Sequence, residues 1–315
     1  MMSPRSIIID TDPGQDDAVA FMLALAFPET IDVLGITTVA GNVGLSKTSA
    51  NALKLLELVG RADVPVFAGA SAPFAVKLET AEYVHGETGL NGWTFPDPVT
   101  PLRPEFAPDF IVDCVMSRPE KSVTLVPLGP LTNVAMAIAK EPRIATRLDK
   151  IVLMGGANIE GGNSTPAAEF NIWVDPHAAQ RVFRSGAEIV VMSLDVTHQA
   201  LIRKAWLADL GALKRKAAEA FVGLLSFYER FDERKYGSDG GPLHDPTTLA
   251  YLLKPDLFEG KFVNVEIETT PGLCFGQTVV DRWAVTGREK NATWITKIDA
   301  EGFFELILEA FRRLP

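Results

Sequence analysis

Four aspartates crowd into one short segment near the start of the chain. Asp10, Asp12, Asp16 and Asp17 all fall within the eight-residue segment DTDPGQDD. Carboxylates this close to one another repel unless something positive binds among them. Helix capping would occupy only one or two of them. The cluster therefore predicts a site for a hard divalent cation, which prefers oxygen ligands.

The spacing of this segment excludes several well-known sites. If Asp10 were the first residue of an EF-hand loop, Gly14 would come one position too early and Phe21 would replace the required glutamate. No Gly-x4-Gly-Lys-Ser/Thr phosphate-binding loop occurs in the sequence. The lysine and threonine context of an aspartyl phosphatase is also missing, and Pro13 directly follows Asp12.

The apolar pattern along the chain predicts an α/β fold. Short runs of Val, Ile and Leu alternate with segments of helical periodicity, which is typical of a mostly parallel sheet with helices on both faces. The predicted strands lie at 6–9, 31–39, 64–67, 122–127, 150–154 and 188–193. The predicted helices lie at 16–27, 45–59, 131–140 and 176–184.

The C-terminal part of the chain has a different pattern. No repeat, low-complexity tract or linker separates it from the first part, so we expect one Rossmann-like domain over residues 1–315. The elements predicted for the C-terminal part are a helix-rich region at 201–235, a glycine-rich loop at 237–243, a helix from 245, an antiparallel hairpin at 261–267 and 277–283, and a closing helix at 301–312.

Polar loops follow several of the predicted strands. In open α/β sheets, ligands bind outside the carboxyl ends of the strands. The aspartate cluster follows the first strand and Asn42 follows the second, while Leu128 and residues 155–171 follow later ones. We therefore expect these loops to meet in one site.

Composition narrows the class of protein. The 315 residues are 47% hydrophobic and carry a net charge of −10, so the basic footprint of a nucleic-acid binder is missing and a small substrate is expected. No run of 18 apolar residues predicts a membrane span. The first apolar stretch is too short for a signal peptide. Two cysteines cannot form a disulfide framework, so a cytoplasmic location is expected.

Five sequence segments resemble the inosine–uridine-preferring nucleoside hydrolases. They occur in that family's order and extend the resemblance from residue 6 to about 285. Because the pattern is long, it is much more specific than an isolated glycine motif. The segments are DTDPGQDDA at 10–18, AGN at 40–42, LGPLTN at 128–133, GNSTPAAEFN at 162–171 and PLHDP at 242–246.

The resemblance implies one Ca²⁺ at the bottom of a deep pocket. The ligands it implies are the carboxylates of Asp12, Asp17 and Asp245 and the main-chain carbonyl of Leu128. The implied reaction is hydrolysis of the N-glycosidic bond of a ribonucleoside by direct attack of a calcium-bound water, giving ribose and free base. Asp12 is the expected general base. The transition state should resemble an oxocarbenium ion.

The resemblance also implies which residues hold the substrate. His244 resembles the histidine that donates a proton to a departing purine, and His85 resembles a second histidine on the base side. Which of the two protonates the leaving base stays open. Asp16, Asn42, Asn163, Glu169 and Asn171 are expected to bind ribose hydroxyls, because amides and carboxylates suit them. The full substrate-binding set is Asp16, Asn42, His85, Met154, Asn163, Glu169, Phe170 and Asn171.

Aromatic residues offer further contacts with the base. Tyr228 and Tyr236 are candidates, whereas Phe227 and Phe231 have the spacing of a packed helix face. His177 and His198 match no segment of the family and are predicted to be structural.

Base preference stays open at the level of sequence. The two base-side histidines favour a broad or purine-tolerant enzyme, and a pyrimidine-preferring one is the alternative. An alternative of another class is a non-catalytic nucleoside or pentose binder. The resemblance also implies a homodimer or homotetramer.

Overall fold

One mixed sheet organises the molecule. A computed structural model describes residues 3–236 and 240–315 of the chain, apart from the side chains of 229–236. The strands in these ranges are β1 (Arg5–Thr11), β2 (Ile31–Thr38), β3 (Val66–Ala68), β4 (Val123–Pro127), β5 (Ile151–Met154), β6 (Ile189–Met192), β7 (Phe258–Ile267), β8 (Thr278–Asp281) and β9 (Ala292–Ile298). They lie in the order β3-β2-β1-β4-β5-β6-β9-β7-β8.

The sheet is parallel over most of its width. Neighbouring strands run parallel from β3 through to β9 in that order. Strand β7 then pairs antiparallel with β9, and β8 pairs antiparallel with β7. The predicted α/β fold, with a mostly parallel Rossmann-like sheet and a C-terminal antiparallel hairpin, is confirmed.

Helices connect and cover the strands. They are α1 (Gln15–Ala26), α2 (Leu45–Leu58), α3 (Glu82–His85), α4 (Ala107–Met116), α5 (Thr132–Lys140), α6 (Ile144–Arg147), α7 (Phe170–Val174), α8 (Pro176–Phe183), α9 (Leu194–Thr197), α10 (Lys204–Ala212), α11 (Lys216–Tyr236), α12 (Pro246–Leu253) and α13 (Ala300–Arg313). No described helix is both long enough and apolar enough to cross a membrane.

The predicted elements agree with these bounds to within two residues for the strands and helices of the first part. The helix-rich region 201–235 forms α10 and α11, and the closing helix forms α13. Part of the predicted glycine-rich loop, residues 237–239, lies outside the described residues. The sequence pattern predicts neither β9 nor α4.

The core lies on both faces of the sheet because strand side chains alternate. In β1, Ile7 and Ile9 pack on the face covered by α1, α2 and α11–α13, whereas Ile8 packs on the opposite face with α4, α5 and α8. Helix α1 is buried on all sides, as expected of a helix in the centre of a large domain.

The polar segments lie at the carboxyl edge of this sheet. The aspartate segment begins at the end of β1, Asn42 follows β2, Leu128 follows β4, and the 155–171 segment follows β5. The fold therefore places these loops where α/β sheets bind their ligands.

Candidate active site

The turn between β1 and α1 provides the first side chains of the site. Helix α1 carries Asp16 and Asp17 in its first turn, where the helix dipole favours negative charge. The Asp17 carboxylate accepts hydrogen bonds from the Thr11 hydroxyl on one oxygen and from the Gly14 N–H, at 2.8 Å, on the other. These bonds fix its orientation.

Four buried carboxylates meet at this point. Oxygens of Asp16, Asp17 and Asp245 lie within 4.8 Å of one another. Burial raises the pKa of Asp17, and burial with the charges of Asp16 and Asp17 raises the pKa of Asp245 well above its usual range. Burial and the charge of Asp17 do the same for Asp12. The tight trio contains Asp16, which the sequence assigns to ribose, in place of Asp12.

Asp12 is held in a narrow slot. Its Oδ2 accepts a hydrogen bond of 2.7 Å from the Asn42 backbone N–H, and the Asn42 side chain donates to the Asp12 carbonyl at 3.1 Å. A Cβ on Gly41 would collide with Oδ2, and one on Gly129 would collide with Oδ1. The close approach of these backbones therefore requires glycine at both positions.

A divalent cation fits this donor set. Asp12 Oδ1 is buried and has no hydrogen-bond partner among the described residues, although an unpartnered buried acceptor is costly. The Leu128 carbonyl accepts a hydrogen bond of 2.7 Å from Asn171 and keeps a second lone pair. Buried carboxylates combined with a carbonyl are the ligands of a hard cation.

Asp10 has a different environment from the other aspartates. Its Oδ1 accepts hydrogen bonds from Asn133 at 2.8 Å and from Thr37 at 2.6 Å. Burial raises the pKa of Asp10 to about 7. These two bonds tie the end of β1 to β2 and to the start of α5, so Asp10 supports the loops around the site.

The segment before α7 provides the polar wall opposite the aspartates. Glu169 caps this helix, since its Oε1 accepts from Asn171 N–H at 2.9 Å, and its Oε2 accepts from Gly156 N–H at 2.8 Å. Burial raises the pKa of Glu169. The Asn171 side chain donates to the carbonyls of Leu128 and Met154. This network joins the loops after β4 and β5.

These groups surround one open pocket of about 620 Å³, part of which is open to solvent. Asn163 is oriented within it because its Oδ1 accepts a hydrogen bond of 2.9 Å from the Phe170 N–H. The lining residues are Asp16, Asn42, Ala81, Tyr83, Val84, His85, Leu128, Met154, Asn163, Ser164, Glu169, Phe170, Asn171, Tyr228, His244 and Asp245. Every residue assigned to substrate from the sequence is among them, whereas Asp12 and Asp17 are not.

Comparison with protein families identifies this arrangement. A sequence model described as inosine-uridine preferring nucleoside hydrolase matches residues 7–305. The chain belongs to this family. It is therefore a nucleoside hydrolase, an enzyme that cuts the N-glycosidic bond of ribonucleosides, and the resemblance seen in its five sequence segments is confirmed.

Relatives of this nucleoside hydrolase differ in the bases that their names specify. The pyrimidine-specific ribonucleoside hydrolase RihA of Shewanella baltica is 46% identical, over 98% of this chain and 96% of the relative. A solved plant nucleoside hydrolase is 35% identical, with a TM-score of 0.91 over 98% of this chain and 99% of the other. A solved purine-preferring ribonucleoside hydrolase of Gardnerella vaginalis is 32% identical, with a TM-score of 0.91 over 98% of both chains.

His85 lies in the wall of the hydrolase pocket and is almost fully buried. Its ring stacks on Tyr228, with ring centroids 5.7 Å apart. Burial lowers the pKa of His85 to about 3, so the imidazole is neutral at physiological pH. The side chains of Tyr236, a candidate for contact with the base, and Phe231, predicted to lie on a packed helix face, lie outside the described residues.

His244 lies next to Asp245 and also lines the pocket. Its Nδ1 is 2.7 Å from the hydroxyl of Thr197 at the end of α9. The ring of His198 lies 5.8 Å from that of His244 between centroids. His198, predicted to be structural, is thus a neighbour of a pocket residue.

Several pocket residues carry no signal in the sequence. Ala81, Tyr83 and Val84 lie in or beside α3, which is too short to show a helical period. Ser164 lies inside a recognised segment, and only that position could have suggested its place in the pocket. Thr197 reaches the site through tertiary contact alone.

Asp195 anchors the loop that leads to Asn163. Its Oδ1 accepts hydrogen bonds of 2.9 to 3.1 Å from the backbone N–H groups of residues 158–160. Its Oδ2 accepts one of 2.9 Å from the Trp294 indole in β9. The strand that the sequence pattern does not predict therefore helps to hold one wall of the pocket.

We expect Asp195→Ala to loosen this wall, because three N–H groups lose their acceptor. Amide hydrogen exchange at 158–160 should accelerate by roughly 10-fold or more, measured by mass spectrometry. The KM for nucleoside should rise. Glu188→Ala, which removes only a surface ion pair with Lys150, is the control. Unchanged exchange at 158–160 would contradict the anchoring role.

Proposed function

We propose that this nucleoside hydrolase releases free base and ribose by direct attack of water at the ribose, with Ca²⁺ as its metal. The single observation that carries the proposal is the acidic floor of the pocket. There the unpartnered Asp12 Oδ1 lies within electrostatic reach of the buried Asp17 and Asp245 carboxylates. Above this floor, amide and carboxylate groups line a pocket suited to a sugar.

The proposed metal ligands are Asp12, Asp17, Asp245 and the carbonyl of Leu128. Ca²⁺ is favoured over Mg²⁺ because it tolerates a flexible shell of six to eight oxygens. That shell leaves room for substrate. A bound divalent cation lowers the pKa of a ligating water and so supplies a nucleophile at neutral pH. Asp16 stays assigned to the ribose, beside the same carboxylates.

Asp12 is the proposed general base. Its Oδ2 is occupied by the Asn42 N–H, whereas Oδ1 keeps both lone pairs and can hold the proton that water releases. The surrounding negative charge would stabilise the positive charge that develops on the ribose in an oxocarbenium-like transition state.

Asn163, Glu169, Asn171 and Asn42 are the proposed ribose contacts. The side chain of each is already oriented by hydrogen bonds to backbone groups, which support a fixed geometry before the sugar enters. A preorganised site aligns the anomeric carbon for attack at little entropic cost.

The base side of the pocket is assigned to Phe170, Met154, His85 and His244. We propose that His244, oriented by Thr197, donates to the departing base. Burial lowers the pKa of His85 to about 3, so at neutral pH its ring carries no extra proton to give to the departing base. His85 was one of the two histidines that favoured a purine-tolerant enzyme, and it is not proposed to protonate the departing base.

We propose a preference for pyrimidine ribonucleosides. The support is the name of the relative from Shewanella baltica, which is more similar to this chain than the purine-preferring relative is. The neutral His85 adds to it. A broad or purine-tolerant enzyme is the second candidate, favoured by the high structural similarity to the enzyme from Gardnerella vaginalis.

Three further features stay predictions from the sequence and its resemblance: the single domain over 1–315, a homodimer or homotetramer, and a cytoplasmic location. The non-catalytic binder is no longer favoured, because the family consists of hydrolases.

We expect Asp12→Asn to lower kcat/KM by roughly 10²- to 10⁴-fold, the usual contribution of a general base. Release of reducing sugar measures the loss, and circular dichroism checks the fold. Asp10→Asn is the matched control, since Asp10 is a neighbouring buried aspartate and the amide oxygen of asparagine can keep the bonds from Asn133 and Thr37. Wild-type turnover by Asp12→Asn would refute the mechanism.

Removal of the metal should lower thermal stability. Adding Ca²⁺ to chelator-treated protein should raise the Tm, with about 2.7 kcal/mol of stabilisation at 100 times the Kd, and Asp17→Asn should lose most of this response. Affinity should fall as the pH falls, because the raised pKa values of Asp12, Asp17 and Asp245 mean that a cation must displace protons. A Tm that responds to Mg²⁺ and ignores Ca²⁺ would overturn the choice of metal.

A panel of uridine, cytidine, inosine and adenosine tests base preference. We expect kcat/KM for the pyrimidine nucleosides to exceed that for inosine by at least about 10-fold, equivalent to roughly 1.4 kcal/mol of transition-state stabilisation. Equal or higher values for inosine would favour the purine-tolerant enzyme instead.

A further inference from the structure

Gln15 is a fully buried amide in the first turn of α1, between Gly14 and the aspartates. Its Nε2 lies 3.0 Å from the carbonyl of His85 and 3.1 Å from the carbonyl of Asn91. Carbonyls only accept hydrogen bonds, so the atom between them must be the NH₂ group, with its two donors. The orientation of the Gln15 amide is therefore fixed by chemistry.

This orientation determines where His85 carries its proton. Gln15 Oε1 lies 2.7 Å from His85 Nδ1. An amide oxygen cannot donate, so Nδ1 must be the N–H of this pair. In a neutral imidazole the other nitrogen then has a bare lone pair, because the bond at one nitrogen sets the state of the other. His85 Nε2 is therefore a hydrogen-bond acceptor.

Among the described residues, no donor meets this acceptor. Within the part of the chain that the structure describes, Nδ1 is the only ring nitrogen of His85 with a hydrogen-bond partner. The ring lines the pocket and is held against Tyr228. A ligand that meets Nε2 in the pocket must therefore bring a donor.

We propose that Gln15 is a positioning residue that makes His85 a hydrogen-bond acceptor toward the nucleobase, so that the pocket selects bases whose facing edge carries an N–H or NH₂ donor. The proposal rests on the proposed function, since it deepens the base preference. Uracil offers N3–H and cytosine its exocyclic amine, whereas the imidazole edge of a purine presents N7, a lone pair that Nε2 would repel.

Nitrogen NMR of histidine-labelled protein tests the proton position without any need for activity. The ¹⁵N shifts of an imidazole distinguish the Nδ1–H form from the Nε2–H form, and the signal missing in His85→Phe assigns this residue among the four histidines. We expect the Nδ1–H form in the wild type and its loss in Gln15→Met, which has no amide. An Nε2–H form in the wild type would overturn the proposal.

A matched variant separates two effects of Gln15: its effect on the proton position of His85, and its anchoring of the loop through the carbonyls of His85 and Asn91. Asn51 holds the same loop from its other side, donating to the carbonyls of Pro13 and Thr88 at 3.1 and 2.8 Å, and makes no bond to the His85 ring. Asn51→Leu removes two hydrogen bonds to backbone carbonyls, as Gln15→Met does. We expect it to leave His85 in the Nδ1–H form. The same change in both variants would reduce Gln15 to a structural role.

Kinetics with uridine and 3-methyluridine test what the acceptor recognises. Methylation removes the N3–H donor of uridine. The methyl group also has a steric cost, but that cost is common to the wild type and Gln15→Met, because Gln15 contacts Nδ1 of His85 and not the Nε2 side proposed to meet the base. The preference for uridine in kcat/KM should shrink in Gln15→Met by roughly 3- to 10-fold, the effect of one neutral hydrogen bond. An equal preference in both enzymes would show that His85 does not read this donor.

The kinetic experiment and the NMR experiment test different claims, so either can fail without the other. If the wild type does not hydrolyse uridine, the proposed pyrimidine preference is wrong, and the NMR result still decides whether Gln15 sets the proton position of His85. If uridine is hydrolysed but His85 carries its proton on Nε2, the proposed function survives and the role of Gln15 does not.

Discussion

The burial of several carboxylates at one point is the constraint on which the rest of the structure depends. Removing charged groups from water is costly, and like charges nearby add to the cost, so the pKa values of Asp12 and Asp245 are raised. Backbone N–H groups and the first turn of α1 offset part of this cost, and the proposed metal ion would offset more of it. The fold brings these groups and the carboxylates together at the carboxyl edge of the sheet.

Side-chain amides join the loops that enclose this charge. The Asn42 amide links the loops after β1 and β2, and Asn133 links Asp10 to the end of β2. Asn171 links the loops after β4 and β5. An amide suits this task because it offers donors and an acceptor without adding charge. The acidic floor is thus surrounded by groups that can orient it without neutralising it.

The base side of the pocket is organised by a different principle. There the hydrogen-bonding character of the neutral His85 imidazole depends on Gln15, whose side-chain oxygen bonds its Nδ1. A single buried contact can therefore change what the pocket recognises while the sugar side stays the same. This separation offers a physical reason why one fold serves hydrolases of different base preference.

The sequence by itself determined the fold class and the acidic end of the site. Apolar runs and helical periods are local, so they predict strands such as β1 and helices such as α1. The sequence pattern did not predict strand β9, because its position between β6 and β7 depends on pairing with distant residues. The carboxylates were recognisable because they lie together in one segment.

Only the tertiary structure decided how these residues act together. It placed Asp16 in a trio with Asp17 and Asp245, and it gave Gln15 a partner 70 positions away in His85. Hydrogen-bond direction, burial and pKa are properties of neighbours in space, which the order of residues along the chain does not record. The composition of the acidic segment was enough to predict a site there. The hydrogen-bonding character of the base side of the pocket could not be predicted from the sequence.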